Sequence, residues 1–140
     1  MPTLFDHEKL TVYQVALAFN AWVGVTLAAI DAKAAAKDQL DRAATSIPLN
    51  IAEGNGKFSH RDRARYFDIA RGSTLECAAC LDVLVSRRLL TSEQIAVAKG
   101  QLVQVVNMLM GLLRRLGYEF ETSVVGEDSW EEQEQEQDKE

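Results

Sequence analysis

Residues 91–117 read TSEQIAVAKGQLVQVVNMLMGLLRRLG, and the fold class follows from this stretch. Ile95, Ala98, Leu102, Val105, Leu109, Leu112 and Leu116 recur at alternating spacings of three and four, which lines them along one seam of an α-helix. Val103, Val106, Met110 and Leu113 form a second apolar stripe beside that seam, so this helix is expected to bury two faces. Thr91 and Gln94 stand at capping-box spacing before the seam. Arg114 and Arg115 followed by Gly117 mark its end: cations complement the helix dipole, and glycine tolerates the left-handed turn that stops a helix.

Moving outward, the same spacing runs through Phe67, Ala70, Thr74, Cys77, Leu81 and Leu84, after Ser59 and Asp62 as N-cap and first-turn acid, and closes at Arg87 and Arg88. A third seam is Leu40, Ala44, Ile47, Ile51, Gly54 and Phe58, and a fourth is Val12, Val15, Phe19, Trp22, Thr26 and Ala29. Four amphipathic segments with short connections predict an all-α, antiparallel four-helix bundle. Pro48 falls inside the third seam, where the missing N–H and the ring should kink the helix or divide it in two. Residues 31–39 hold no Gly or Pro, and the turn between the first two helices is expected near Asp31 to Lys37.

The composition agrees. The chain has 140 residues, 47% of them hydrophobic, with 18 Ala and 16 Leu against eight Gly and two Pro, as in a helical rather than a many-turned β protein. Length alone allows one domain with a real core. Two cysteines in one segment, Cys77 and Cys80, supply neither a disulfide framework nor a four-thiolate zinc site, which favours a reducing cytoplasm. The net charge of −6 is misleading: residues 127–140 carry −7, which leaves +1 for residues 1–126. Residues 1–126 are therefore read as the bundle domain and 127–140 as a disordered acidic tail, either solubilising or folded back onto a basic surface. The N-terminus has no cationic run to suggest a signal peptide. Residues 10–30 are uncharged and long enough to cross a bilayer, but Gln14 and Asn20 interrupt them, so a bundle helix is expected and no membrane role.

Few residues invite catalytic chemistry. The CxxC of Cys77 and Cys80 falls in mid-helix with no strand pattern nearby, so both thiols read as small core groups. His7 and His60 have no second His or Cys at ligand spacing, so no metal or cofactor is expected, and no catalytic group. Glu53, Gly54, Asn55, Gly56 and Lys57 lack the phosphate-loop spacing, and glycine ending a helix in the left-handed conformation explains them. Asn50, Glu53, Arg71, Ser73 and Glu76 lie where two helices would meet and form a candidate structural polar network, with Glu53 to Arg71 as an interhelical ion pair. Residues 57–71 (KFSHRDRARYFDIAR) carry a net +3 with Tyr66 and Phe67 interleaved. Lys57, Arg61, Arg63 and Arg65 are the candidate nucleic-acid-binding residues, through phosphates rather than base edges.

The stretch 46–76, SIPLNIAEGNGKFSHRDRARYFDIARGSTLE, resembles the four-helix-bundle family of proteins encoded in large-subunit rRNA intervening sequences. The likeness rests on Ser46, Ile47, Pro48, Asn50, Ile51, Ala52, Glu53, Gly54, Gly56, Lys57, Phe67, Ala70, Arg71, Gly72, Ser73 and Glu76, with QLDRAA (39–44) and LTVYQVA (10–16) upstream, and covers roughly residues 8–116. It implies an up-down-up-down bundle, Pro48 as a kink inside the second helix, and a homo-oligomer, expected as a pentameric ring that would repeat the basic patch around its rim. The family is similar to the accessory variability proteins of diversity-generating retroelements, which bind nucleic acid and a reverse transcriptase through a positive surface. Two departures stand: no Pro and aromatic turn precedes QLDRAA, and the acidic tail lies outside the pattern. The reading is a non-enzymatic, oligomeric cytosolic bundle associated with RNA or DNA; the alternative is a protein-interaction scaffold with no nucleic-acid role.

Overall fold

The computed structural model describes residues 4–119, and all regular structure among them is helical. A short 3-10 turn, Asp6–Lys9, leads into α1 (Thr11–Ala29), α2 (Ala35–Gly56), α3 (His60–Ser86) and α4 (Ser92–Arg115). The acidic segment 127–140 lies outside the described residues. Helix starts follow local chemistry where a cap exists. The Ser59 hydroxyl accepts the Asp62 N–H at 3.1 Å, and Thr91 and Gln94 form a reciprocal capping box, Gln94 Oε1 accepting the Thr91 N–H at 2.8 Å. At the end of α4, Gly117 takes φ +96°, and the Tyr118 N–H reaches back to the Leu113 carbonyl at 3.1 Å.

Each helix packs on its sequence neighbours, and α1 also packs on α4, which closes a four-helix bundle. Phe19, Leu40, Ile47, Ile51, Phe67, Leu81, Leu84 and Leu109 fill its centre. Burying each of these side chains is worth about 1.5–3 kcal/mol, before the opposing chain entropy. All six expected seam residues of α3 are buried. On α4 the buried set runs Ile95, Ala98, Leu102, Val105, Leu109 and Leu113. Leu113 thus replaces Leu112, because a straight helix of 3.6 residues per turn drifts off a strict heptad.

Three expectations are corrected. The core side of α1 is Val12, Ala16, Phe19 and Val23, one position away from the Val15, Trp22, Thr26 and Ala29 seam. With no charge anywhere in α1, both registers look equally apolar. Phe58 lies beyond α2 and is fully exposed, because the chain turns extended at Lys57. The turn between α1 and α2 is residues 30–34, shorter than the expected span, and Lys37 sits inside α2.

α2 continues through Pro48, whose ring is buried. A proline at this position cannot donate to the Ala44 carbonyl four residues back. Asn20 of α1 supplies the missing donor: its Nδ2 donates to Ala44 O at 2.8 Å and to Ala16 O at 2.9 Å. The polar residue that interrupts the apolar run of α1 and the proline inside α2 are thus two halves of one arrangement.

Candidate nucleic-acid interface

The basic segment lies where α2 ends and α3 begins. Gly54 and Gly56 do not end α2 in the left-handed conformation, contrary to expectation; both are helical, and Gly54 is buried for a different reason. A Cβ on Gly54 would stand 2.9 Å from Phe67 Cδ1 and Cε1 and 3.1 Å from Arg63 O. Glycine there lets the Phe67 ring and the α3 backbone press against α2. The approach is closed above by Arg63, whose Nη1 donates to Asn55 O at 3.1 Å while its guanidinium lies 5.9 Å from the Phe67 ring centre. Arg63 therefore satisfies a carbonyl of the last turn of α2.

The other three cations face outward. Lys57 Nζ lies 5.1 Å from the Tyr66 ring centre and 3.6 Å from Glu53 Oε2, and the Arg65 guanidinium sits 5.0 Å from the same ring with Nη2 donating to Tyr66 Oη at 3.2 Å. Lys57 and Arg65, eight positions apart, are thus gathered on one tyrosine. Arg61 and Arg65, one helical turn apart, line an open groove of about 610 Å³ with Asp62, Ala64, Asp68, Leu113 and Tyr118. Asp68 is engaged by Arg71, its Oδ1 accepting from Nε at 3.2 Å. Asp62 occupies the first turn of α3, where the dipole favours an acid. The far wall comes from the end of α4, delivered by the turn at Gly117, so the groove joins segments about fifty positions apart in sequence. Sequence reasoning missed Tyr118; the one available signal was a helix-stopping glycine followed at once by an aromatic.

The candidate polar network divides. Ser46 and Ser73 share a hydrogen bond of 2.8 Å across α2 and α3, and Asn50 Nδ2 donates to Ser46 O at 2.8 Å and to Ser46 Oγ at 2.9 Å. Either hydroxyl can donate in the serine pair, since Ser46 Oγ has lone pairs for both Asn50 and Ser73. The expected Glu53 to Arg71 pair does not form: Glu53 pairs with Lys57 and Arg71 with Asp68, each along its own strand of sequence. Glu76 is exposed. Its negative charge is felt by both cysteines: the Cys77 thiol is pushed up to about 12 by burial first, then by Cys80 and Glu76, and Glu76 adds to the effect of burial in raising Cys80. Among the described residues, no cluster of three His, Cys, Asp or Glu side chains is placed to hold a metal.

The sequence profile of the 23S rRNA-intervening sequence protein family matches residues 8–111. Among solved structures, the chain is similar to a protein of unknown function from the S23 ribosomal protein family of Bacteroides thetaiotaomicron VPI-5482, with a TM-score of 0.69 and 22% identity over 74% of this chain and 98% of that one. At that identity the likeness speaks for the fold. No curated protein matches the chain.

Proposed function

The chain belongs to the 23S rRNA-intervening sequence protein family, and from that footing we propose that it is a non-enzymatic, cytoplasmic helical bundle that associates with RNA or DNA through phosphates. One observation carries the reading: the exposed guanidinium groups of Arg61 and Arg65 converge on an open groove, with Lys57 held beside them on Tyr66. Phosphate oxygens match guanidinium forks, and displacement of condensed counterions would drive the association. Arg63 has a structural task, binding α2 to α3, and its part in phosphate contact is the smallest of the four.

Assembly belongs to the same proposal. Val25, Val97 and Val103 are 76%, 75% and 59% exposed, and Leu17 and Leu75 are also uncovered. α1 and α4 are long and apolar enough to cross a membrane by length and composition. We read their outer faces instead as surfaces buried in a homo-oligomer, expected as a pentameric ring of up-down-up-down subunits with a kink at Pro48. A ring would set copies of the groove side by side and raise the local potential.

Replacing Lys57, Arg61 and Arg65 together by Ala in the full chain should weaken binding of a structured RNA about tenfold or more at low salt. Fluorescence anisotropy reads the change, with circular dichroism as the check on folding; undiminished affinity contradicts the proposal. The second reading, a protein-interaction scaffold, draws on the uncovered α3–α4 groove of about 310 Å³ lined by Leu75, Ala78, Val103 and Val106. It expects indifference to nucleic acid and retention of a specific protein partner in a pull-down; recovery of none would count against it.

A further inference from the structure

Phe58 is 102% exposed, the most uncovered large apolar side chain among the described residues, and it lies inside the basic segment. The cause is local. The core position at this end of the bundle is taken by Phe67 against Gly54, and the chain is extended at Lys57, so no apolar space is left for the ring that follows. Tyr66 already carries Lys57 and Arg65 on its ring, whereas Phe58 has no ring or cation partner among the described residues. An open aromatic ring next to Lys57, three positions before Arg61 and just ahead of the positive end of the α3 dipole, has what an unpaired nucleobase needs: a π-face for the base and cations for the adjoining phosphates.

We infer that Phe58 is a stacking platform for an unpaired base, so that the surface prefers single-stranded or looped nucleic acid over an uninterrupted duplex. This rests on the phosphate-binding role proposed for Arg61 and Arg65 and deepens it by naming the ligand class. In a duplex the bases are stacked on one another and present no free face to the ring. In a single strand or loop, a base can turn onto Phe58 while its phosphates reach the arginines. Stacking is tolerant of base identity, so little sequence preference comes with it.

The test uses the full chain and two fluorescent probes, a single-stranded oligouridylate and an RNA duplex of equal length, titrated at one salt concentration. Phe58→Ala and Phe58→Leu should each weaken single-strand binding about tenfold and leave duplex binding within about twofold, while Phe58→Trp retains the preference. Phe58 touches no core residue, so folding is not at stake, and sedimentation equilibrium is run on every variant. Equal losses on both probes, no loss on either, or a change in oligomer size with Phe58→Ala would overturn the inference, the last by making Phe58 a contact between copies. A wild-type chain that binds neither probe removes the phosphate-binding reading itself, and the inference falls with it. A chain that binds both, indifferent to Phe58, removes the inference alone.

Discussion

At the residue scale, Gly54 shows how one missing side chain sets the geometry of the candidate site. Gly54→Ala would drive a methyl group into the Phe67 ring and the Arg63 carbonyl, and overpacking of this kind costs about 1–3 kcal/mol. Gly72, also within a helix, is exposed with nothing within 4 Å of an added Cβ. There the same change should add up to about 1 kcal/mol through helix propensity. Urea midpoints at one protein concentration should therefore move in opposite directions. Cys77 gives a second residue-level prediction. Burial pushes its pKa in the folded chain up to about 12, against 9.0 for the free group. The folded-state value is raised, so its contribution to stability is complete below pH 9 and declines as pH climbs from 9 toward 12. At pH 8, iodoacetamide should leave the native protein unmodified and alkylate both cysteines once urea unfolds it. These burial effects were legible in sequence for Cys77, a seam position. The purpose of Gly54 was not, since a glycine's packing partner is invisible until the neighbouring helix is in place.

At the element scale, α1 and α2 are tied by Asn20 and Pro48. Asn20→Leu would leave the Ala44 carbonyl without a donor, at a cost of about 1–3 kcal/mol. Pro48→Ala restores an N–H within α2 that can serve the same carbonyl. Asn20→Leu should then cost about 1 kcal/mol less in the Pro48→Ala background than in the wild type, which a double-mutant cycle from denaturation curves measures. Additive effects would mean that Asn20 serves another purpose. Sequence reading separated these two residues, one as an interruption of an apolar run and the other as a helix breaker, because a hydrogen bond between positions 24 apart leaves no periodic trace. Local signals fared better: the Ser59 cap, the Thr91 and Gln94 box and the Gly117 turn all act within a few residues, and their chemistry is written in adjacent positions. The ion pairs follow the same logic. Arg71 finds Asp68 three positions away, and Glu53 finds Lys57 four away, before either reaches across to the other helix.

At the scale of the whole molecule, helical class and helix number were readable because three of the four seams mix charged and apolar residues at helical spacing. The register of α1 was not, and the reason bears on assembly: a helix without charge offers apolar faces both inward and outward. With the outer faces of α1 and α4 proposed as the interface between copies, Val103→Glu on α4 should convert a multiple of the 15.5 kDa chain mass into monomer, as light scattering after size exclusion would read. Val103 is exposed in the single chain, so the substitution should leave the helical signal intact. The groove between the start of α3 and the end of α4 was half legible: its arginines stood out as a basic run, while Leu113 and Tyr118 entered only through the packing of α4 on α3. Phosphate binding in this groove is best read from the salt dependence of the affinity. The affinity of the full chain for an RNA hairpin, followed from low salt to about 0.3 M NaCl, should fall linearly on logarithmic axes, and Arg61→Ala with Arg65→Ala should reduce the slope by about two. An unchanged slope in the double variant would contradict phosphate binding there.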